Sequence, residues 1–307
     1  MAKLFSRRSA AVVSAAAAAL SITAGLGVSH AASKSITVSL ILKDQTNPFF
    51  VAMAKGAVAD GAKVGVKVVV GAGKADGDSA GQVALIENAI ANKEQGILIT
   101  PSNDGVDQAI LQARKAGLVV IALDTPPVTK NIVTTTFATD NFAAGTLIGQ
   151  YAAAALAGKD ANIAMIDDTP NVVTNVDLGR DEGFISGMGS AGADPKMVGN
   201  EPKSGKYTGG KGGNYTICGH VAGKGDQQDG QTGMEQLLAK CPDINVVYSI
   251  NEPSGLGAYA ALKAHGKTAI IGSVDGGSAG IRAVKAGQIG ATSQQRSEEH
   301  TSELQSH

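Results

Sequence analysis

Aromatic residues are scarce in this 307-residue chain, which has no tryptophan, six phenylalanines and five tyrosines. Its core must therefore rest on alanine, valine, isoleucine and leucine, a composition common in α/β proteins. Basic runs are lacking as well, since 26 lysines and arginines are spread among 27 acidic residues. A net charge of −1 without a basic arm argues against nucleic acid as a partner.

Sequence patterns of catalysis and of metal binding are also missing. The five histidines are scattered and show no zinc-ligand spacing. No G-x-S-x-G elbow occurs, and "GAGKADG" lacks the G-K-[ST] ending and the G-x-G-x-x-G spacing of phosphate-binding loops. The sequence therefore predicts no catalytic residue, metal or cofactor, although a hydrolase that uses paired carboxylates stays open from the residues alone.

The N-terminus has the pattern of a secretory signal peptide. A basic start precedes an apolar stretch over residues 10–28, and small residues surround a cleavage point after Ala31 or Ala32. A membrane anchor is the alternative, but this stretch is rich in alanine and serine rather than leucine. Because no cysteine lies near the cleavage point, we expect signal peptide 1–31 to release a periplasmic protein that is not a lipoprotein, by the general or the twin-arginine route.

Runs of valine, isoleucine and leucine alternate along the rest of the chain with segments of helical apolar spacing. "SITVSLILK" and "VKVVVGAG", for example, enclose the helical pattern of "NPFFVAMAKGAVADGAKVG". Continuous apolar strands are typical of parallel sheets that are buried on both faces. The alternation restarts near Asn141, which predicts an α/β fold of two doubly wound parallel-sheet lobes joined by a hinge, over residues 32–139 and 140–295.

Three further features of this organisation are predicted. The chain should cross between the lobes near residues 138–141 and again near 294–295. "KMVGNEP", at 196–202, is predicted as a strand, and the glycine-rich segment 203–220 as an irregular surface insertion.

Only two cysteines are present, Cys218 and Cys241. In an oxidising compartment this number favours a disulfide between them. Two unrelated buried thiols are the alternative.

Polar and aromatic side chains follow the carboxyl ends of the predicted strands, where ligands bind in such sheets. Amides, carboxylates and guanidinium groups pair with sugar hydroxyls, which both donate and accept hydrogen bonds. Helix capping is the alternative for the polar residues, and of two adjacent phenylalanines we expect one to pack in the core and one to line the cleft. The candidate ligand-binding residues are Asn47, Phe49, Phe50, Asp124, Thr125, Asp140, Arg180, Asn251, Glu252, Asp275 and Gln295.

Over residues 35–295 the chain resembles the type I periplasmic sugar-binding proteins, the receptors of ABC importers for ribose, fructose and related sugars. The resemblance rests on "TNPFF", "GILITPS", "VVIALDTP", "FATDNFAAG", "INVVYSINEPSGLGAYAAL", "GSVDGG" and "GATSQQ". It implies sugar contacts from the residues that match the family pattern, namely Asn47, Phe49, Phe50, Asp124, Arg180, Asn251, Asp275 and Gln295.

Two departures from the ribose-type pattern favour a differently shaped sugar such as fructose. Thr125 stands where ribose receptors place an arginine, and Gly225 lies near the position of a further aromatic residue. The resemblance implies a monomeric, non-enzymatic receptor that delivers a monosaccharide to an ABC permease. A sugar-type chemoreceptor or signalling-ligand receptor is the alternative, while a repressor of the same fold would need a helix-turn-helix where the signal peptide stands.

The last segment, residues 296–307, is polar and has no place in the family pattern. Residues 296–306 match one reading frame of a common sequencing-library adapter, which predicts a non-native, adapter-derived tail; a genuine polar tail is the alternative. We then expect this segment to take no part in any site. The first lobe would lack its C-terminal return, leaving a sheet edge uncovered and the chain prone to aggregate.

Overall fold

The computed structural model describes residues 36–169, 174–190, 198–296 and 298–300. The predicted signal peptide and its cleavage point lie outside these residues. No helix in the described part of the chain is both long enough and apolar enough to cross a membrane.

The first lobe is a twisted parallel sheet with helices on both faces. The inner strands carry runs of apolar side chains that are buried, and burial on both faces explains why these segments form strands. Strand β1 lies inside the sheet between β2 and β3, with β4 and β5 following outward. The elements are β1 (Ile36–Leu42), α1 (Pro48–Lys63), β2 (Val66–Ala72), α2 (Ser79–Ala91), β3 (Gly96–Ile99), α3 (Asp107–Lys115), β4 (Val119–Asp124) and β5 (Thr135–Ala138).

The second lobe repeats this architecture around a second sheet. The chain enters it directly through the long helix that follows β5, as the sequence predicts. The elements are α4 (Asn141–Leu156), β6 (Ala161–Asp167), α5 (Asn175–Met188), β7 (Ser204–Tyr207), β8 (Gly213–Ala222), α6 (Gln227–Lys240), β9 (Val246–Ser249), α7 (Glu252–Ala264), β10 (Ile270–Asp275), α8 (Ser278–Lys285) and β11 (Ala291–Gln294). The strand order is β11-β10-β9-β6-β8-β7, and all neighbours are parallel except β7 and β8. The α/β fold of two doubly wound lobes is therefore confirmed.

The glycine-rich segment 203–220 is not an irregular insertion, and that prediction is wrong. It forms the antiparallel hairpin of β7 and β8, and β8 pairs with β6 inside the second sheet. The tyrosine rings of Tyr207 and Tyr215 are buried in the core of this lobe. The glycines of this segment form the hairpin turn. The apolar side chains that alternate along β8 place that strand inside the second sheet.

The strand predicted over 196–202 is not found in its described part. Residues 198–202 form a turn, and the residues before 198 lie outside the described part of the chain. The short apolar run in "KMVGNEP" is too brief to extend a sheet edge that the hairpin of β7 and β8 already occupies.

Residues 298–300 add a further strand, β12 (Glu298–His300), to the edge of the first sheet. It runs antiparallel to β5, with Glu298 opposite Ala138 and His300 opposite Thr136. The expectation of an uncovered edge is therefore wrong at these positions, because backbone groups of almost any sequence can pair with an open strand. The origin of residues 296–307 stays a prediction, which the genomic DNA of the source organism tests.

Helices α4 and α5 cross at unusually short range because each presents glycines to the other. A Cβ atom added at Gly183 would meet the carbonyl oxygen of Phe142, and one at Gly187 would meet that of Thr146. In the opposite direction, Gly145 faces the carbonyl of Arg180. This backbone contact sets the position of α5 and of the arginine that it carries.

A disulfide joins Cys218 in β8 to Cys241 at the end of α6. The two Cα atoms are 5.8 Å apart, and the bridged residues are separated by 23 positions. The bond ties the helix to the strand on which it packs.

We expect Cys218→Ser combined with Cys241→Ser to lower the free energy of unfolding by about 3 kcal/mol, since the open chain gains loop entropy when it unfolds. Urea unfolding of both proteins measures this. Thiol titration of the denatured parent chain should find no free thiol, and dithiothreitol should destabilise the parent but leave the double variant unchanged. Two reactive thiols in the unreduced parent would contradict the bridge.

Candidate functional site

Two adjoining cavities lie at the carboxyl-terminal edges of the two sheets. The larger has a volume of about 840 Å³ and the smaller about 30 Å³, and they share Asn47, Gly225 and Asp275. Side chains of both lobes line each cavity. Polar and charged groups dominate the smaller cavity, whose lining includes Asn47, Asp124, Arg180, Asn251, Asp275 and Gln295.

Arg180 is the central cation of the smaller cavity and is only 3% exposed. Its Nε donates to Asn141 Oδ1 at 2.8 Å, and its Nη1 donates to the Ile250 carbonyl at 2.8 Å. Asn141 in turn donates to the Thr139 carbonyl at 3.2 Å. These bonds fix the guanidinium in one orientation, and they tie it to the segment where the chain enters the second lobe. Sequence reasoning left Asn141 out of the candidate site, although it follows a strand end.

Asp275 ends β10 and is 8% exposed, with φ at 143°. Its Oδ1 accepts from Gln295 Nε2 at 2.7 Å, and its Oδ2 accepts from the Glu252 backbone at 3.4 Å. Burial raises the pKa of Asp275 to about 7, against the opposing effects of Arg180 and the bond from Gln295. A positive φ is strained for any residue other than glycine. Backbone strain of this kind is common at functional sites.

A carboxyl group whose pKa is raised on folding binds protons more tightly in the folded state, so stability falls as pH rises from about 4 to about 7. We expect Asp275→Asn to remove this loss. Its melting temperature, relative to the parent, should therefore rise by several degrees between pH 5 and pH 8, in the absence of ligand. Asp60→Asn, which replaces an exposed carboxyl group on α1, is the control. An equal difference from the parent at both pH values would refute the prediction.

Lys43 and Asp76 form a buried ion pair in the wall of the smaller cavity, with Nζ and Oδ2 3.4 Å apart. Burial and the neighbouring Asp168 raise the pKa of Asp76 to about 7. Burial opposes protonation of Lys43, but Asp76, Asp168 and Asp124 together raise its pKa. The candidate list did not include this pair, although Lys43 directly follows the first strand and Asp76 lies in the "GAGKADG" loop.

Asp124, Thr125 and Asn251 occupy strand ends as the sequence predicts, but their roles differ. Asp124 lines the smaller cavity at a φ of 64° and accepts from Thr125 Oγ1 at 2.9 Å. Asn251 caps α7 through Ser254 N and also donates to the Gly225 carbonyl at 3.0 Å. Gly225 has a φ of 68°, and a Cβ there would lie 3.2 Å from Asn251 Nδ2, so this chain has no room for an aromatic residue there.

The two phenylalanines separate as the sequence analysis expects. Phe50 is buried against Leu40 and Leu42 in the core of the first lobe, whereas Phe49 lines the larger cavity. Asn47 caps α1 by accepting from Phe49 N at 2.9 Å and faces both cavities.

Three of the candidate ligand-binding residues therefore do not present their side chains to either cavity as free ligand contacts. Phe50 belongs to the core because its neighbours are aliphatic. Asp140 is exposed and caps α4 through Ala143 N at 2.9 Å, outside the lining of both cavities. Glu252 borders the larger cavity, but its carboxylate accepts from Gly277 N, Gly280 N and Thr292 Oγ1, so its hydrogen bonds stabilise the site rather than face it.

The two crossings between the lobes run side by side. Thr139 Oγ1 donates to Gln295 Oε1 at 3.4 Å and accepts from Arg296 N at 3.1 Å. Gln295 thereby connects the crossing segments to Asp275. Because Gln295 also lines the smaller cavity, one crossing segment contributes directly to the wall of that cavity.

Comparison with known proteins gives the family. The family model described as "Periplasmic binding protein domain" matches residues 38–301. The ribose import binding protein of Haemophilus influenzae is 29% identical over 89% of this chain and 85% of its own, and the D-allose-binding periplasmic protein of Escherichia coli is 24% identical over 87% and 82%.

Solved structures agree on the fold. An ABC transporter solute-binding protein of Actinobacillus succinogenes with bound D-allose superposes with a TM-score of 0.68, at 22% identity over 83% of both chains. The arabinose-transporter binding protein of Shewanella gives 0.67, at 21% identity over 87% of this chain and 82% of its own. With a family model that spans both lobes and structures that share their arrangement, the chain belongs to the periplasmic binding protein family, in its two-lobed type I form.

Proposed function

We propose that this protein is the periplasmic receptor of an ABC importer and binds one monosaccharide between its lobes. The observation that supports it most is the smaller cavity, where a buried arginine, three amides and four carboxylates converge from both lobes. Such a set offers paired donors and acceptors to adjacent hydroxyl groups. Ribose and D-allose, named for two relatives, are ligands of this chemical class.

The sugar lies where the two cavities meet, at Asn47 and Asp275, with one face on the ring of Phe49. Thr125 and Gly225 together favour fructose or a related sugar over ribose, because they stand where the ribose-type pattern has an arginine and a nearby aromatic residue, and because the Thr125 hydroxyl is bonded to Asp124. Binding draws residues 32–139 and 140–295 together about the two crossings, and the closed form is presented to the membrane permease. The receptor acts as a monomer and performs no chemistry on the sugar.

Isothermal titration against a panel of pentoses, hexoses and amino acids tests this function. We expect a dissociation constant of about 1 μM or lower, equivalent to about 8 kcal/mol, for one sugar and no heat from amino acids. Binding of an amino acid with no response to any sugar would refute the proposal.

Phenylalanine variants refine the same titration. Phe49→Ala should weaken sugar binding about tenfold, with the melting temperature nearly unchanged, because it removes a cavity wall. Phe50→Ala should instead cost about 3–5 kcal/mol of stability, because it empties a core position. Phe142→Ala, which removes an exposed ring on α4, is the matched control. Unchanged affinity in Phe49→Ala would show that the sugar does not contact this ring.

A further inference from the structure

A second polar cluster is buried in the second lobe, away from the lining of both cavities. It gathers Asp167 at the end of β6, Asp181 on α5, His220 on β8 and Glu201 from the turn before β7. His220 Nδ1 lies 2.7 Å from Asp167 Oδ2 and 3.8 Å from Asp181 Oδ2, and its Nε2 lies 2.6 Å from Glu201 Oε1. The cluster thus places three carboxyl groups around one imidazole.

Asp181 is the residue that this arrangement leaves unexplained. Its side chain is fully buried, and neither carboxylate oxygen has a hydrogen-bond partner among the described residues. Asp167 Oδ1 and Glu201 Oε2 are likewise without a partner there. A buried carboxylate without a donor is costly, and proteins normally pair it with a cation or a hydrogen-bond donor.

We propose that this cluster binds one divalent transition-metal ion, with Zn²⁺ as the preferred ion, through His220 Nδ1 and one carboxylate oxygen each of Asp167 and Asp181. These three ligand atoms lie within 4.8 Å of one another, so small side-chain rotations bring them around a single ion. One imidazole and two carboxylates suit zinc, and a water molecule would complete a tetrahedral set.

Glu201 has the position of a supporting residue for such an ion. Its Oε1 lies 2.6 Å from His220 Nε2, so with an ion on Nδ1 it would accept the remaining N–H of the ring. Carboxylates commonly orient metal-binding histidines in this way. Without a metal, His220 Nδ1 also bonds Asp167 Oδ2, so a bound ion would take the place of the proton in that contact while Glu201 keeps its bond to Nε2.

The ion would stabilise the elements that carry the candidate sugar site. Asp181 directly follows Arg180 on α5, and Asp167 directly precedes Asp168, which lines the smaller cavity. A metal that joins β6, α5 and β8 would hold both residues in place without touching the sugar. This role is independent of sugar binding, so its test does not depend on the proposed function.

The alternative is a proton in place of the metal. Burial, Asp167 and Glu201 raise the pKa of Asp181 to about 10, so a metal-free protein would hold this carboxyl group in its neutral form. The two cases differ in what Asp181→Asn does, because asparagine replaces the neutral acid well but is a poor metal ligand.

The experiment uses the untagged full chain, stripped of metal with a chelator and titrated calorimetrically with ZnCl₂ at pH 7.5. We expect one high-affinity site in the parent and a higher melting temperature after zinc addition. Asp181→Asn should lose both, while its metal-free form melts at or above the parent temperature and so proves folded. Glu201→Gln should weaken zinc binding about 10- to 100-fold.

Two controls separate this site from incidental binding. His265→Gln removes an exposed histidine, and Asp107→Asn neutralises another buried carboxyl group with an unpartnered oxygen, in the first lobe. Both should keep the zinc site. The proposal fails if the stripped parent binds no zinc, or if Asp181→Asn binds it as tightly as the parent does.

Discussion

Arg180→Ala is expected to abolish sugar binding at concentrations that saturate the parent protein. The guanidinium is buried, is held by Asn141 and the Ile250 carbonyl, and shares the smaller cavity with Asp124 and Asp275. Removing it takes away the cation that opposes the raised pKa of Asp275, together with the guanidinium donors of the cavity. Loss of one partner of a buried charged pair costs about 2–5 kcal/mol, which corresponds to roughly 30- to several-thousand-fold in affinity.

Calorimetric titration with the sugar that the parent binds measures this effect. Arg180→Lys should also bind weakly, because a lysine keeps the charge but cannot reach Asn141 and the Ile250 carbonyl in the same fork geometry. Arg114→Ala, on an exposed arginine of α3, is the control and should bind as the parent does. If folded Arg180→Ala bound the sugar with full affinity, the smaller cavity would not be the binding site.

Gly183→Val is expected to destabilise the protein by at least about 3 kcal/mol, at the upper end of the effects of overpacking. Its Cβ would collide with the carbonyl oxygen of Phe142, and a backbone atom cannot rotate away as a side chain can. Helices α4 and α5 must then separate, which also moves Arg180. Urea unfolding monitored by circular dichroism measures the loss.

Gly56→Ala is the matched control, since this helical glycine of α1 has nothing within 4 Å of an added Cβ. There alanine should stabilise the protein by about 0.4–1 kcal/mol, because it restricts the unfolded chain. If Gly183→Val were as stable as the parent, the close approach of α4 and α5 would not be required for the fold.

The strands and helices were predictable where local pattern and burial agree. Continuous apolar runs gave the parallel strands of both sheets, and helical spacing gave helices such as α1 and α4 to within a few residues. The hairpin of β7 and β8 was not predictable in this way, because its glycines mask an alternation that matters only beside β6. The pairing of β12 with β5 was missed because an open edge accepts almost any backbone.

For the candidate site, strand-end position was a good guide to which residues face the cleft, and a poor guide to what each does there. Asn47, Arg180, Asp275 and Gln295 all line the smaller cavity, and their contact with a sugar stays a prediction. Asp140 and Glu252 have the same sequence context, yet they cap a helix and accept backbone hydrogen bonds. Capping and ligand binding both use short polar side chains at the start of a helix, so local sequence does not distinguish them.

The two-lobed α/β architecture follows from the sequence alone, because hydrophobic period and burial are local properties of each segment. The sequence also predicts polar side chains along one edge of each sheet, since the carboxyl ends of parallel strands meet at one edge. Tertiary packing is needed to show which of two adjacent phenylalanines lines the larger cavity and how closely α4 and α5 approach. It alone brought together Asp167, Asp181, Glu201 and His220, because these residues lie on separate elements and meet only after the second sheet has formed.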